Sequence, residues 1–505
     1  MTEKTWAGHP RGLATLFFTE MWERFTYYGM RAILVFFLAA AATEVNPGLG
    51  LTREEAGAIY GLYTGAVYLF SLPGGWIADR LIGSRRAVFW GGIFISAGNF
   101  TLAIPGPAGL FFLGLAIIVI GVGLLKPNVS ALVGTLYDGN NDARRDAGFS
   151  IFYMGINLGA AIAPFVVGTV GENWSWRLGF GTAGLFMLGG VIQFKLTERH
   201  LGSGGLAPAT TPAQQRSGWR TLGIAVAVLA AIAALLASGL VPVRPSDLAK
   251  MAGVVMAAVG IGFFGYMLLF ADLTRAERGR VAVIGILFLS SATFWAGFEQ
   301  AATSLNLFAQ DYTNRAFLGA WFPNGEHPAS WYQAANPVYI ILFAPFFAAL
   351  WVWLGKRNLD PAAPAKFGLG LVQMGLGFVV VMFAAKLCMG SGAKVAPGWL
   401  LLTYLLHTTG ELCLAPVGMS NVTRLAPPRY VGQLMGTWFL GLAVGNLAAG
   451  LIGGHVGGSD IRDMPGQFWN VALLGLGAGV LMLVLARPIH KLTRLRDAAA
   501  PEEGL

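Results

Sequence analysis

Residues 20–31 read Glu20-Met21-Trp22-Glu23-Arg24-Phe25-Thr26-Tyr27-Tyr28-Gly29-Met30-Arg31 within a long apolar stretch. At about 100° per residue, Glu20, Glu23, Arg24, Tyr27 and Arg31 fall within roughly 100° of one another on a helix. A stripe of carboxylates and guanidiniums with tyrosines among them can pass protons and hold charged solutes. It cannot face lipid, because one Arg or Asp at the centre of a spanning helix costs about 2.5–3.5 kcal/mol on the mildest insertion scale. More ionisable residues lie deep in other apolar stretches: Lys126, Glu299 and Glu411, with His407 one turn before Glu411. A lone buried histidine is most simply a packing residue, and His407 is read as one. The other seven charges, left unpaired, would cost roughly 20 kcal/mol, more than the about 5–15 kcal/mol that holds a typical fold. They must pair, protonate or meet water. Four acids and three bases sum to −1, so an electroneutral site holds one protonated carboxyl. Retention of that proton then depends on which cation its neighbours engage.

The elements that must position these residues are membrane helices. The chain has 505 residues, 55% hydrophobic and 12% charged, where a soluble domain carries about 25% charged residues. Apolar runs long enough to span a bilayer, about 20 residues each, recur from end to end. The sequence predicts an all-α polytopic membrane protein with fourteen spans. Six fall near 13–40, 55–79, 86–105, 107–136, 147–171 and 174–196. A Gly-, Pro-, Thr- and Gln-rich loop (201–218) leads into two spans at 220–242 and 250–271 with scarcely an ionisable residue between their ends. Six more follow near 281–310, 332–355, 367–388, 396–424, 430–453 and 467–487. Six, an inserted pair and six suggest two six-helix halves, 1–200 and 280–490, around a central path, with 201–279 peripheral and 491–505 a tail. Abundant Gly, 70 residues, suits close helix packing in lipid.

The charge of +9 comes from Lys and Arg gathered in particular loops, among them Arg144 and Arg145, Arg275, Arg278 and Arg280, Lys356 and Arg357, and Arg487 to Arg496. All fall on one side if the N-terminus is cytoplasmic, so both termini are predicted inside. No basic patch carries a nucleic-acid motif. Cys388 and Cys413 sit inside apolar spans, which excludes a disulfide framework. Glu20 and Glu23 make the first span unlike the apolar core of a cleaved signal. No Gly-x-Ser-x-Gly elbow, His-Glu-x-x-His pair or phosphate-binding loop occurs, which argues against an enzyme, and no metal site or cofactor is expected.

Gly75-Trp76-Ile77-Ala78-Asp79-Arg80-Leu81-Ile82-Gly83-Ser84-Arg85-Arg86, between the second and third spans, resembles the loop signature of the major facilitator superfamily, in which Asp79, Arg80, Arg85 and Arg86 would serve conformational change. The opening stripe is more specific. It resembles the E-x-x-E-R-F-x-Y-Y-G pattern of the proton-dependent oligopeptide transporter family at every defined position. Further landmarks follow in order: Gly123 to Asn128, Phe149 to Gly159, Phe294 to Gln300, Gln333 to Pro337 and Gly410 to Gly418. The resemblance covers nearly the whole chain. It implies a major facilitator fold and a proton-coupled importer of di- and tripeptides in a bacterial inner membrane, working as a monomer by alternating access and driven by the proton gradient. A facilitator carrier for nitrate, amino acids or drugs is the alternative. The implied roles are as follows. Glu20, Glu23, Arg24, Lys126 and Glu299 handle protons and gating. Arg31 and Lys126 take the peptide carboxylate, and Asn157, Asn336 and Glu411 its amino terminus and backbone. Tyr27, Tyr28, Tyr68, Trp295 and Trp438 line side-chain pockets. Ala415 departs from the family, where a Ser commonly precedes the proline here, Pro416. Pro127, next to Lys126, predicts an irregular helix whose freed carbonyl could line a cavity.

Overall fold

The computed structural model describes residues 5–137, 142–208, 210–237 and 244–493. A short antiparallel pairing of β1 (Thr5–Trp6) with β2 (His9–Pro10) precedes a run of helices. These are α1 (Arg11–Ala39), α2 (Arg53–Ile77), α3 (Ser84–Ala103), α4 (Ala108–Gly134), α5 (Asp142–Ala163), α6 (Thr169–Asn173), α7 (Trp176–Thr197), α8 (Pro212–Ala237) and α9 (Pro245–Leu269). Then come α10 (Arg275–Phe298), α11 (Ser304–Tyr312), α12 (Ala335–Lys356), α13 (Ala363–Ser391), α14 (Gly398–Leu425), α15 (Val431–Gly458) and α16 (Met464–Thr493). All but the short α6 and α11 have 20 residues or more. Ten helical stretches among the described residues are long and apolar enough to cross a membrane, which makes this a multi-pass membrane protein. Helix α1 is not one of the ten, because every 18-residue window of it holds at least three charged side chains. The stripe itself sets that helix apart. Residues 494–505, and with them Arg494, Arg496 and most of the expected tail, lie outside the described residues, as do 238–243 at the end of the span expected at 220–242.

Three local expectations change. Helix α8 begins at Pro212, inside the expected loop, because Thr211 and Gln214 form a reciprocal cap: Thr211 N–H donates to the Gln214 side chain (3.0 Å) and Gln214 N–H to Thr211 Oγ1 (3.3 Å). Proline at the first helical position completes that start. The span expected at 281–310 breaks: α10 ends at Phe298, a 3₁₀ turn covers Glu299–Ala302, and α11 resumes at Ser304. Helix α4, by contrast, runs unbroken through Pro127.

Contacts gather the chain into two compact units. The first holds Met1–Glu55, Ala66–Leu248 and Ala316–Pro337; the second holds Ala56–Gly65, Ala249–Arg315 and Val338–Leu505. The inserted pair is thus divided, α8 with the first unit and nearly all of α9 with the second. In the first unit, α1 packs against α5 and α7. Gly159 makes the α1–α5 approach possible, since a Cβ there would lie 2.1 Å from the Met21 carbonyl oxygen. That carbonyl sits one residue after Glu20, so the crossing fixes the charged stripe at its first turn. In the second unit, α13 packs against α16 and α14, and α10 against α15.

Candidate functional site

In the first unit the stripe is buried along one face of α1. Glu20, Glu23, Arg24 and Arg31 are each 5% exposed or less. Arg24 is shared by two acids: its Nε lies 3.0 Å from Glu20 Oε1 and also donates to Glu23 Oε2. The other carboxylate oxygen of each acid, and Nη2 of Arg24, are buried without a hydrogen-bond partner among the described residues. A buried polar atom in that state costs about 1–3 kcal/mol or more when charged. The cluster therefore retains open positions for a proton or a ligand. The guanidinium of Arg24 lies over Tyr27, 5.4 Å from its centroid, and that of Arg31 over Tyr28 at 5.1 Å.

Lys126 joins the stripe from α4. Its Nζ sits 4.0 Å from the centroid of Tyr68 on α2, and it acts electrostatically on Glu20. Such cation–π contacts favour a charge held away from bulk water. The helix runs on through Pro127, and the carbonyl that proline leaves without its helical partner, Gly123 O, lies close against Gly74 of α2, where a Cβ would approach it to 1.9 Å. Asn128 Nδ2 adds a bond across the same crossing, 3.3 Å to Gly74 O. The freed carbonyl thus locks α2 to α4 and carries Tyr68 to Lys126, rather than lining a cavity as the sequence suggested. Asn157, 5% exposed, turns its amide back to Tyr153 O in its own helix (3.0 Å). Asn336 lies half-buried at the start of α12. Of the loop residues, Asp79, Arg80 and Arg86 are exposed. Arg85 holds the turn after α7, with Nε 2.6 Å from Gly204 O and its backbone N–H 3.0 Å from Gly205 O.

The second unit holds the remaining acids. Glu299, 4% exposed, is the first residue of the 3₁₀ turn that interrupts α10 and α11. It accepts a hydrogen bond of 3.1 Å from the fully buried Tyr60 hydroxyl, in the segment of α2 that belongs to this unit. Irregular backbone at membrane depth is tolerated only where protein or water satisfies it, and all four residues of this turn are buried in protein. Glu411 is buried on α14. Trp295 packs edge-on against Phe298 with centroids 5.1 Å apart, and Trp438 edge-on against Phe367 at 6.3 Å. His407 is buried, its ring 5.0 Å from that of Phe378 and 6.4 Å from that of Phe298.

Two long-range contacts escaped the sequence reading. Tyr60 is one, although its neighbours Gly57 and Gly61 mark a close helix contact. Glu172 is the other. Its carboxylate accepts from the backbone N–H groups of Ala329 (2.8 Å) and Ser330 (2.9 Å), and nearby Thr169 Oγ1 accepts from Trp331 Nε1 (2.9 Å). These bonds tie the end of α6 to the turn that leads into α12. That turn belongs to the first unit, while α12 from Val338 onward belongs to the second.

Comparison with known proteins shows the family to which the chain belongs. The profile of the POT family matches residues 85–461. The chain is 42% identical over 501 residues to a peptide transporter of Yersinia enterocolitica, covering 97% of this chain and 96% of that one. It is 37% identical to a di-/tripeptide transporter of Lactococcus lactis, covering 97% and 98%. Among solved structures, it is similar to a peptide transporter bound to alafosfalin, with a TM-score of 0.87, 40% identity and 97% of each chain covered.

Proposed function

Because the chain belongs to the POT family, we propose that it is a proton-coupled symporter that imports di- and tripeptides by alternating access. The observation that carries this reading is how the deep charges divide. The first unit holds Arg24, Arg31 and Lys126 against Glu20 and Glu23, a net +1; the second holds Glu299 and Glu411, a net −2. A short peptide is a zwitterion with fixed ends and a variable middle. Arg31 and Lys126 take its carboxylate, and a planar guanidinium can do so with two parallel bonds. Glu411 takes its ammonium, with Asn157 and Asn336 holding its backbone. Tyr27, Tyr28, Tyr68, Trp295 and Trp438 offer flat apolar faces that accept many side chains.

Protons move through the carboxylates. Glu20 and Glu23 each keep one oxygen without a hydrogen-bond partner among the described residues, and such an oxygen can accept a proton without first breaking a bond. Glu299 faces a hydroxyl that can donate to a carboxylate or accept from a carboxylic acid, so either protonation state is accommodated. Protonation of one acid releases the cation it held, and that cation becomes available to the peptide. Asp79, Arg80, Arg85 and Arg86 serve the conformational change, and both termini lie in the cytoplasm with the loops rich in Lys and Arg. The protein acts as a monomer in the inner membrane and needs no cofactor beyond the gradient. The test is purified protein in liposomes under an inward acid gradient. Dialanine and trialanine should drive an inward current that nitrate and free alanine do not. No current with either peptide would overturn the reading.

A further inference from the structure

The transport reading makes no use of a cavity of about 730 Å³ within the second unit, enclosed by the start of α10, the segment 360–366, the end of α14 and the end of α16. Its charge is lopsided. Arg280, Lys366 and Arg424 line it against a single acid, Asp360. That acid is already engaged, since Lys366 Nζ lies 2.7 Å from Asp360 Oδ1, and Lys366 is itself 8% exposed and also sits 4.4 Å from the Trp351 ring. Two guanidiniums are left over. Nε of Arg280 is buried and has no hydrogen-bond partner among the described residues. A guanidinium N–H buried without an acceptor is costly, and an anion's oxygens would supply one at Arg280 Nε. Ser420, Asn421 and His490 add neutral hydrogen-bonding groups on the same walls.

We propose that this cavity binds a phosphate group. Two uncompensated guanidiniums call for about two negative charges, which a phosphate monoester supplies near pH 7 and a carboxylate does not. Arg pairs with phosphate oxygens bidentately. A cavity this large takes the phosphate monoester on a larger body, either phosphatidic acid in the membrane or a soluble phosphate monoester. Both have access to helix ends on the face predicted to be cytoplasmic. The site is separate from the peptide-binding residues, so its test does not depend on transport.

The experiment measures binding to the purified full-length protein in detergent, by native mass spectrometry and by titrated thermal shift. One arm compares phosphatidic acid with phosphatidylcholine; the other compares AMP with adenosine. The variants are Arg424→Gln, which alters an exposed side chain and should leave the fold intact, and the double change Arg280→Gln with Arg424→Gln. The phosphate ligand of one arm should bind in preference to its control, about tenfold more weakly in Arg424→Gln and more weakly again in the double variant. The responding arm then identifies the source, lipid or soluble. If neither phosphatidic acid nor AMP is preferred over its control, or if Arg424→Gln binds as wild type does, the cavity is not a phosphate site.

Discussion

The two units solve the problem of charge in a membrane differently. The first surrounds its acids with cations: Arg24 bridges Glu20 and Glu23, Lys126 acts on Glu20 from α4, and the cations lie over tyrosine rings. The second places Glu299 at a break in the helix, where it accepts a hydrogen bond from the Tyr60 hydroxyl. Ion pairs resist change, because removing one partner strands the other in a low dielectric at a cost of about 3–5 kcal/mol. A hydroxyl partner is indifferent to protonation. On this difference we propose that the first unit holds and releases the peptide carboxylate while Glu299 in the second carries the coupling proton.

The comparison can be broken from either side. Lys126→Ala should have the largest effect: acid-driven dialanine uptake should fall by about a hundredfold or more, since the change removes both a balancing charge and a carboxylate ligand. Wild-type uptake in that variant would take Lys126 out of the mechanism. Glu172→Ala should come next. It removes two charge-assisted bonds of about 1.5–3 kcal/mol each from the turn that leads into α12. A lower midpoint of thermal unfolding and a several-fold change in uptake rate are expected; an unchanged midpoint together with an unchanged rate would make Glu172 a passive surface group. Tyr60→Phe should be the mildest, because one neutral hydrogen bond is worth about 0.5–1.5 kcal/mol. Uptake should fall about two- to tenfold, and its dependence on external pH should move. A drop in rate with no such move would make Tyr60 a packing residue.

Much of this was legible in the residues. Charges at helical spacing in apolar sequence point to the site without any structure, because lipid excludes them. Span limits fell within a few residues for most helices, since apolar length is set by bilayer thickness. What escaped reading depends on partners remote in sequence. Nothing local in Glu299-Gln300-Ala301-Ala302 announces a break, as it holds no Gly or Pro. Pro127 announced one that does not occur, and its freed carbonyl lies against Gly74, more than fifty residues away. Glu172 reads as one acid at a helix end until Ala329 and Ser330 present their N–H groups to it. The start of α8 could have been read, since Thr211-Pro212-Ala213-Gln214 carries a reciprocal cap in its sequence. Composition drew attention to the Gly- and Thr-rich loop instead.

The most direct test of the division between the units is Glu299→Gln compared with wild type in the same liposomes, measured in two modes. In one, an inward acid gradient drives concentrative uptake of dialanine; in the other, labelled peptide exchanges for unlabelled peptide with no gradient. Glutamine keeps the shape and the hydrogen bond to Tyr60 but cannot carry a proton. Wild type should do both, and the variant should exchange at near wild-type rate while failing to concentrate. Concentrative uptake by the variant at the wild-type level would contradict the assignment of the coupling proton to Glu299.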